Sequence, residues 1–244
     1  MENMENIIEY YDELYPVTEN QSLFYASLSE QYKRPVKFLN IGCGTGSFEH
    51  QLALSGNDVT GLDTSRELLE SANRKRRSQL MAVRFFQMST VEMTRFLGKG
   101  FYDIISCLKN RLVFIHDRTL MRKFFFDCKN LCAEHGSLVL ELYNYKKLNT
   151  EPIVKLPVLS SLRVKLFAQI WTNQNGEKYM KQEIECGNGK ILPVIEEAEI
   201  YPLTKNEIVE FGEEAGFRNF AFYSDFSCTE FTDASDRLIA CISV

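Results

Sequence analysis

Residues 39–46 read Leu-Asn-Ile-Gly-Cys-Gly-Thr-Gly, and an acid, Asp63, ends the next hydrophobic run. Ahead of the glycines, Val36-Lys37-Phe38 predicts a β-strand. Behind them, SFEHQLALSG (Ser47–Gly56) predicts a helix, and DVTGLD (Asp58–Asp63) a second strand. Strand, glycine turn, helix and a strand ending in an acid make a nucleoside-binding βαβ unit. Glycines let a ligand approach the backbone where a Cβ would collide. The helix N-terminus offers unpaired N–H groups to a carboxylate or phosphate. Asp63 is placed to accept hydrogen bonds from two ribose hydroxyls, its other role being a helix N-cap.

Nicotinamide and flavin folds favour G-x-G-x-x-G, whereas Gly42, Gly44 and Gly46 give G-x-G-x-G with Ser47 in the later place. GCGTG with an acid at this spacing resembles the first motif of the class I methyltransferases that use S-adenosylmethionine (SAM). The resemblance runs in good order from Tyr10 to Asn144. It implies that Gly42, Cys43 and Gly44 line the methionine part of SAM, that Asp63 takes the ribose, and that Thr64 packs on the ribose or adenine. The family has Asp or Glu where this chain has Asn40, so a charge is missing there. It also has an acid after the third strand, where this chain reads Gln87-Met88-Ser89. Met88 is then expected on the adenine face, with Ser89 offering its N–H or hydroxyl. CLKNRLVFIH resembles a family segment similar to CLGNSL-x-H, which implies Leu108 and Asn110 near the sulfonium. Lys109 and Arg111 replace small residues there. They attract an anionic acceptor or pair with surface acids; Arg111 is taken as a substrate residue. His116 is the candidate base, a structural bond at a helix start being the alternative. EYYDELYP resembles a segment that closes over SAM, with Tyr11 or Tyr10 covering the ligand and Tyr15 facing the acceptor. Tyr143 and Asn144 follow the fifth strand, where parallel sheets bind ligands. Asp103 in FYDII is expected to be structural.

The chain has 244 residues and is 45% hydrophobic, enough for one α/β domain with an elaboration. A net charge of −5 argues against nucleic acid held on a basic face. The run Arg74-Lys75-Arg76-Arg77 closes a predicted helix, where cations complement the dipole. Seven cysteines, with no secretory signal and no membrane-spanning run, fit a reduced cytoplasmic protein. Cys128, Cys132 and His135 lack a second cluster to complete a metal site, so buried thiols and no metal are expected.

Helices are predicted over about 4–14 and 20–32. Thr64 and Glu67 suggest a capping box for ELLESANRKRR. AVRFFQ, FYDIISCL and SLVLELY read as strands. Asp117 caps a helix running to about Cys132, with Gly136 suited to its end. The predicted fold is α/β, a doubly wound, mostly parallel seven-stranded sheet, in which the resemblance makes the last two strands an antiparallel pair. Residues 1–34 form an N-terminal helical cap, 35–149 the SAM-binding core, 150–202 an antiparallel insertion, and 203–244 the closing helix and strands. Two hairpin signals, Asn175-Gly176 and Asn188-Gly189, lie in the insertion. Pro193 puts the last of its strands at an edge or bulge. Thr204 and Glu207 predict a second capping box. Phe167, Trp171 and Tyr179 are candidates to line an apolar acceptor pocket, or to form the core of the insertion itself, which the resemblance makes a lid or an oligomer contact.

These expectations amount to a SAM-dependent methyltransferase moving a methyl group to N or O of a small molecule, with S-adenosylhomocysteine as product. No membrane is expected as a partner. A homodimer through the insertion is left open. The alternatives are a nicotinamide-dependent oxidoreductase and a SAM-binding protein without catalysis.

Overall fold

The computed structural model describes residues 3–76, 82–148 and 152–244. Arg77 of the basic run and the predicted start of the insertion at 150 fall outside the described residues. The main sheet contains β1 (Lys37–Ile41), β2 (Asp58–Asp63), β3 (Val83–Gln87), β4 (Tyr102–Cys107) and β5 (Cys132–Tyr143). All five are parallel, in the order β3-β2-β1-β4-β5. A smaller sheet follows, built from β6 (Ile153–Lys155), β7 (Leu159–Ser160), β8 (Val164–Thr172), β9 (Lys178–Cys186) and β10 (Ile191–Ile200). The chain then returns to the main sheet with β11 (Asn219–Tyr223) and β12 (Arg237–Ser243). β12 inserts antiparallel between β5 and β11.

Alternation explains the double winding. In β1, Leu39 and Ile41 face one side while Phe38 faces the other; in β5, Leu138, Leu140 and Leu142 oppose Val139. Both faces are therefore apolar and both must be covered. One face packs on α6 (Arg118–Leu131) and α8 (Lys205–Ala215), through Phe124, Phe125, Ile208 and Phe211. The other packs on α2 (Glu19–Ser29) and α3 (Ser47–Leu54), through Phe24, Tyr25, Phe48 and Leu52. Three short helices, α1 (Tyr11–Leu14), α5 (Met93–Phe96) and α7 (Tyr145–Leu148), and α4 (Arg66–Arg76) complete the set.

Caps follow the sequence at several ends. Asp117 accepts from Leu120 N–H at 2.8 Å, and Thr204 with Glu207 forms a full capping box. The turns at Gly176 and Gly189 have positive φ, and Pro193 lies on the edge strand β10 at a break in register. Other ends differ. Ser65 rather than Thr64 caps α4, its hydroxyl oxygen accepting from Leu68 N–H at 3.2 Å. Gly136 lies within β5, where an added Cβ would come within 2.9 Å of the Tyr102 carbonyl, so close strand approach explains it. The predicted first helix is two 3-10 turns, Met4–Asn6 and Ile8–Tyr10, followed by the single turn of α1.

The small sheet does not stand alone. Val164, Leu166, Ile184, Val194 and Ile195 share a core with Met4, Ile7, Tyr11 and Leu14. The N-terminal segment is thus held between the lid sheet and the glycine turn of the main sheet. Arg163 reinforces the contact, bonding Glu9 at 2.6 Å and Glu13 at 2.5 Å. No helix among the described residues is long and apolar enough to cross a membrane.

Candidate active site

The glycine turn follows β1, and its three glycines all have positive φ, from 60° to 76°. The N–H groups of Gly42 and Cys43 bond the Leu62 carbonyl, which ties the turn to β2. Asp63 is buried at the end of β2. One of its oxygens accepts from Gly44 N–H and the other from Ser65 N–H, both at 2.9 Å. The carboxylate is oriented by two backbone donors and does not cap α4.

Tyr11 stands on this turn. A Cβ added at Gly44 would lie 2.4 Å from the Tyr11 hydroxyl oxygen. Only glycine admits the ring so close to the backbone. The neighbouring Asp12 fastens it there, accepting from Thr45 Oγ1 at 2.5 Å, Ser47 Oγ at 2.8 Å and Lys75 Nζ at 2.5 Å. Partial burial alone would raise the Asp12 pKa, but these donors outweigh it and hold the carboxyl below its usual value. Arg111 covers Gly42, with Cβ and Cγ 3.1 Å from an added Cβ.

Beyond Tyr11 a cavity of about 400 Å³ opens between the lid sheet and the carboxyl ends of β4 and β5. Tyr15, Lys109, Arg111, Glu141, Tyr143 and Arg237 supply its polar wall; Leu156, Leu166, Ala168 and Val194 supply apolar surface. Glu141 is fixed by Arg237 at 2.6 Å and by Lys109 N–H at 2.9 Å. The Lys109 ammonium lies 5.0 Å from the Tyr11 ring centre and 5.6 Å from that of Tyr15. Burial pulls its pKa below the ordinary lysine value, against the opposing pull of Glu49 and Glu141. Burial also pushes the Tyr11 and Tyr15 hydroxyls well above their ordinary value, so both are neutral donors at pH 7.

Tyr11, Tyr15, Arg111 and Tyr143 meet at this cavity; behind them Gly42 lies against Arg111 and Gly44 against Tyr11, with Asp63 bonded to Gly44 N–H. Met88 donates its N–H to the Asp63 carbonyl at 3.0 Å and is half-buried near the expected ribose end, with Ser89 following it. Thr64 is exposed and borders a small hollow with Asn3, Met4 and Glu5. Tyr10 turns to the lid, under the Arg163 guanidinium.

Leu108, Asn144 and His116 lie away from the cavity, whereas Asn110 is in its wall. Leu108 is buried in the core with Phe24 and Tyr25, facing away from the cavity. Asn110 lines the cavity but spends both ends of its amide on Tyr145 and on Tyr143 N–H, at a left-handed φ of 58°. These bonds tie the loop after β4 to Tyr143 and Tyr145. Asn144 points to the far side, donating to the carbonyls of Asp233 and Ser235 at 3.0 and 2.9 Å. His116 is exposed on the way into α6 and does not border the cavity. The lid aromatics follow the two-residue period of β8. Val164, Leu166 and Ile170 point inward, so Phe167 and Trp171 point outward, and Trp171 stacks on Tyr179 at 5.9 Å. Asp103 is structural, accepting from Lys37 N–H at 2.8 Å.

Sequence reasoning passed over Glu49 on α3. It is fully buried, and the Asn40 amide donates to it. Its second oxygen and the Asn40 side-chain oxygen have no partner. Burial raises its pKa to about 6. An acid in the first turn of a helix reads as a dipole complement, which hid it.

A family model described as a methyltransferase domain matches residues 38–136. A protein of Geobacillus sp. (strain WCH70) named as a methyltransferase is 28% identical over 149 residues, covering 59% of each chain. The chain therefore spans under two thirds of that relative. A glycine/sarcosine N-methyltransferase of Aphanothece halophytica is 24% identical, covering 98% of this chain and 88% of its own. The solved structure of the CcbJ methyltransferase from Streptomyces caelestis shares the fold, with a TM-score of 0.79 at 16% identity and coverage of 97% and 95%. The glycine turn, the strand order and the match over residues 38–136 support a methyltransferase domain of the class I, SAM-dependent kind.

Proposed function

We propose that this protein transfers the methyl group of SAM to a nitrogen or oxygen of a small molecule that carries an anionic group. The observation that supports this reading is the cavity of about 400 Å³ that meets the glycine turn at Tyr11 and Arg111 and has Lys109 in its wall. A volume of this size suits a metabolite rather than a polymer. The glycine/sarcosine N-methyltransferase relative is named for acceptors of that size.

The residues fit SAM. Asp63, held by two backbone donors, has lone pairs left for ribose hydroxyls. The glycines give a backbone floor, and orphaned acceptors at Asn40 and Glu49 await a donor. When bound, SAM supplies an already electrophilic methyl. The protein then has to align the acceptor and exclude water. Tyr15 and Tyr143 offer neutral hydroxyls for positioning, and Lys109 offers a cation to an acceptor carboxylate or phosphate. Tyr11 and Asp12 must lift from the glycine turn to admit the cofactor, so closure and cofactor binding are one motion of the N-terminal segment. We take the chain to work in the cytoplasm.

The test is an acceptor screen with SAM, read as S-adenosylhomocysteine formed, over small amines and alcohols with and without a carboxylate. Turnover confined to anionic acceptors is expected. Turnover only with neutral acceptors would refute the anionic preference. Cofactor binding without turnover across the panel would favour the non-catalytic binder.

A further inference from the structure

The family acid before the glycine turn is absent at Asn40, yet a buried acid stands against that asparagine. We propose that Glu49 supplies the displaced charge, and that Glu49 and Asn40 together receive the ammonium of the methionyl end of SAM. The assignment rests on the cofactor reading above.

Three observations carry it. First, Asn40 is the last residue but one of β1, two before Gly42, and Glu49 lies in the first turn of α3, which the same glycines open. The pair sits directly beneath the turn expected to cradle the methionyl group. Second, the Asn40 amide nitrogen donates to one Glu49 oxygen, while the other Glu49 oxygen and the Asn40 oxygen are buried without a donor. Two neighbouring orphaned acceptors, one of them on a carboxylate, are costly in a core and are satisfied by a cationic N–H donor. A primary ammonium brings three such donors, enough for both atoms. Third, the cation whose charge reaches Glu49 is Lys109. Lys109 acts on it electrostatically, but its ammonium sits over tyrosine rings and makes no ion pair with it. A satisfied structural pair would show the contact that is missing here.

The roles divide by chemistry. In the family arrangement the acid itself projects from the strand. Here the strand provides an amide, which fixes the orientation of the helix-borne carboxylate and adds an acceptor of its own. Glu49 is a binding residue for the cofactor and takes no part in bond making.

The test is Glu49→Gln, read by calorimetric titration with S-adenosylhomocysteine and, separately, with 5′-methylthioadenosine, which keeps the adenosine and thioether but has no amino-acid end. Urea midpoints are measured on the same samples. Glutamine keeps the shape and offers an N–H to the Asn40 oxygen, but loses the charge. The expected result is a loss of about tenfold or more for S-adenosylhomocysteine, with 5′-methylthioadenosine within about twofold and an unlowered urea midpoint. The double variant Asn40→Asp with Glu49→Gln puts the charge back on the strand and should recover most of the affinity. Unchanged S-adenosylhomocysteine binding in Glu49→Gln would overturn the proposal. So would an equal loss for both ligands with a lowered midpoint, which would make Glu49 a structural counter-charge to Lys109. Failure of the unaltered protein to bind either ligand would overturn the cofactor reading and this assignment with it.

Discussion

Substituting Gly44 by alanine separates two costs that the structure assigns to one position. The φ of 60° is left-handed, which costs a residue bearing a Cβ about 1 kcal/mol. The new methyl would also lie 2.4–2.6 Å from three atoms of the Tyr11 side chain. That contact must be relieved by moving Tyr11, which is 5% exposed and packed 5.0 Å from Tyr15. Overpacking of this kind costs about 1–3 kcal/mol, so Gly44→Ala should lose about 2–4 kcal/mol in all. Tyr11→Ala by itself should lose about 3–5 kcal/mol, as large aromatic truncations do. With the ring gone, the alanine has room, and adding Gly44→Ala should then cost only the backbone share of about 1 kcal/mol. Urea unfolding of the four proteins gives the coupling directly, and it should fall between about 1 and 3 kcal/mol. Additive losses, with coupling below about 0.5 kcal/mol, would show that Tyr11 does not rest on the glycine turn in solution and would refute the closed arrangement.

Glu49 also sets a pH dependence. Its pKa is raised to about 6 by burial, so between about pH 4.5 and 6 the folded state holds a proton that the unfolded chain has released. The stability it favours is full below about pH 4.5, the ordinary glutamate value, and is lost as pH rises through about 6. The loss is at most about 2 kcal/mol. Asn40, Lys109 and Asp63 act on Glu49, and Tyr11, Tyr25 and Cys43 feel its charge. The difference in urea midpoint between the protein and Glu49→Gln across pH 4.5–7 isolates the Glu49 contribution, and a flat difference would contradict its burial as a carboxylate. Asp12→Ala removes three donors' acceptor and should loosen the N-terminal segment at a cost of about 1–2 kcal/mol, since the ion pair itself is half-exposed and worth little. Faster limited proteolysis before residue 18 checks it; unchanged cleavage would count against the fastening. His116→Ala should change stability by less than about 0.5 kcal/mol and leave cofactor affinity unaltered, and a large loss in either would return the histidine to the site.

Much of the fold was legible because its signals are local and strong. The turn from Gly42 to Gly46 and the acid at Asp63 mark the start of the sheet, and alternation within each strand shows that both faces are covered. The hairpins at Gly176 and Gly189 were legible for the same reason. Ambiguity entered where one residue type has two uses. Gly136 reads as a helix stop but serves close strand approach. Thr64 and Ser65 both suit a cap, and tertiary geometry chose the second. In the lid, the inward set is given by Val164, Leu166 and Ile170. Following that parity rather than aromatic content would have turned Phe167 and Trp171 outward. Leu108 and Asn144 carry the right composition for a site, but packing and long-range hydrogen bonds take them elsewhere, while Asn110 stays at the cavity with its amide already bonded. Glu49 shows the reverse, since a charged residue on a short helix reads as solvated until the strand beneath it is known.

The most direct test of the central claim is calorimetric titration of the protein with S-adenosylhomocysteine, alongside NAD and repeated on Asp63→Ala. The account predicts binding near micromolar, about −8 kcal/mol, weakened at least about tenfold when the ribose acceptor is removed, and no binding of NAD. Folded protein that fails to bind S-adenosylhomocysteine, or that binds NAD in its place, would contradict it.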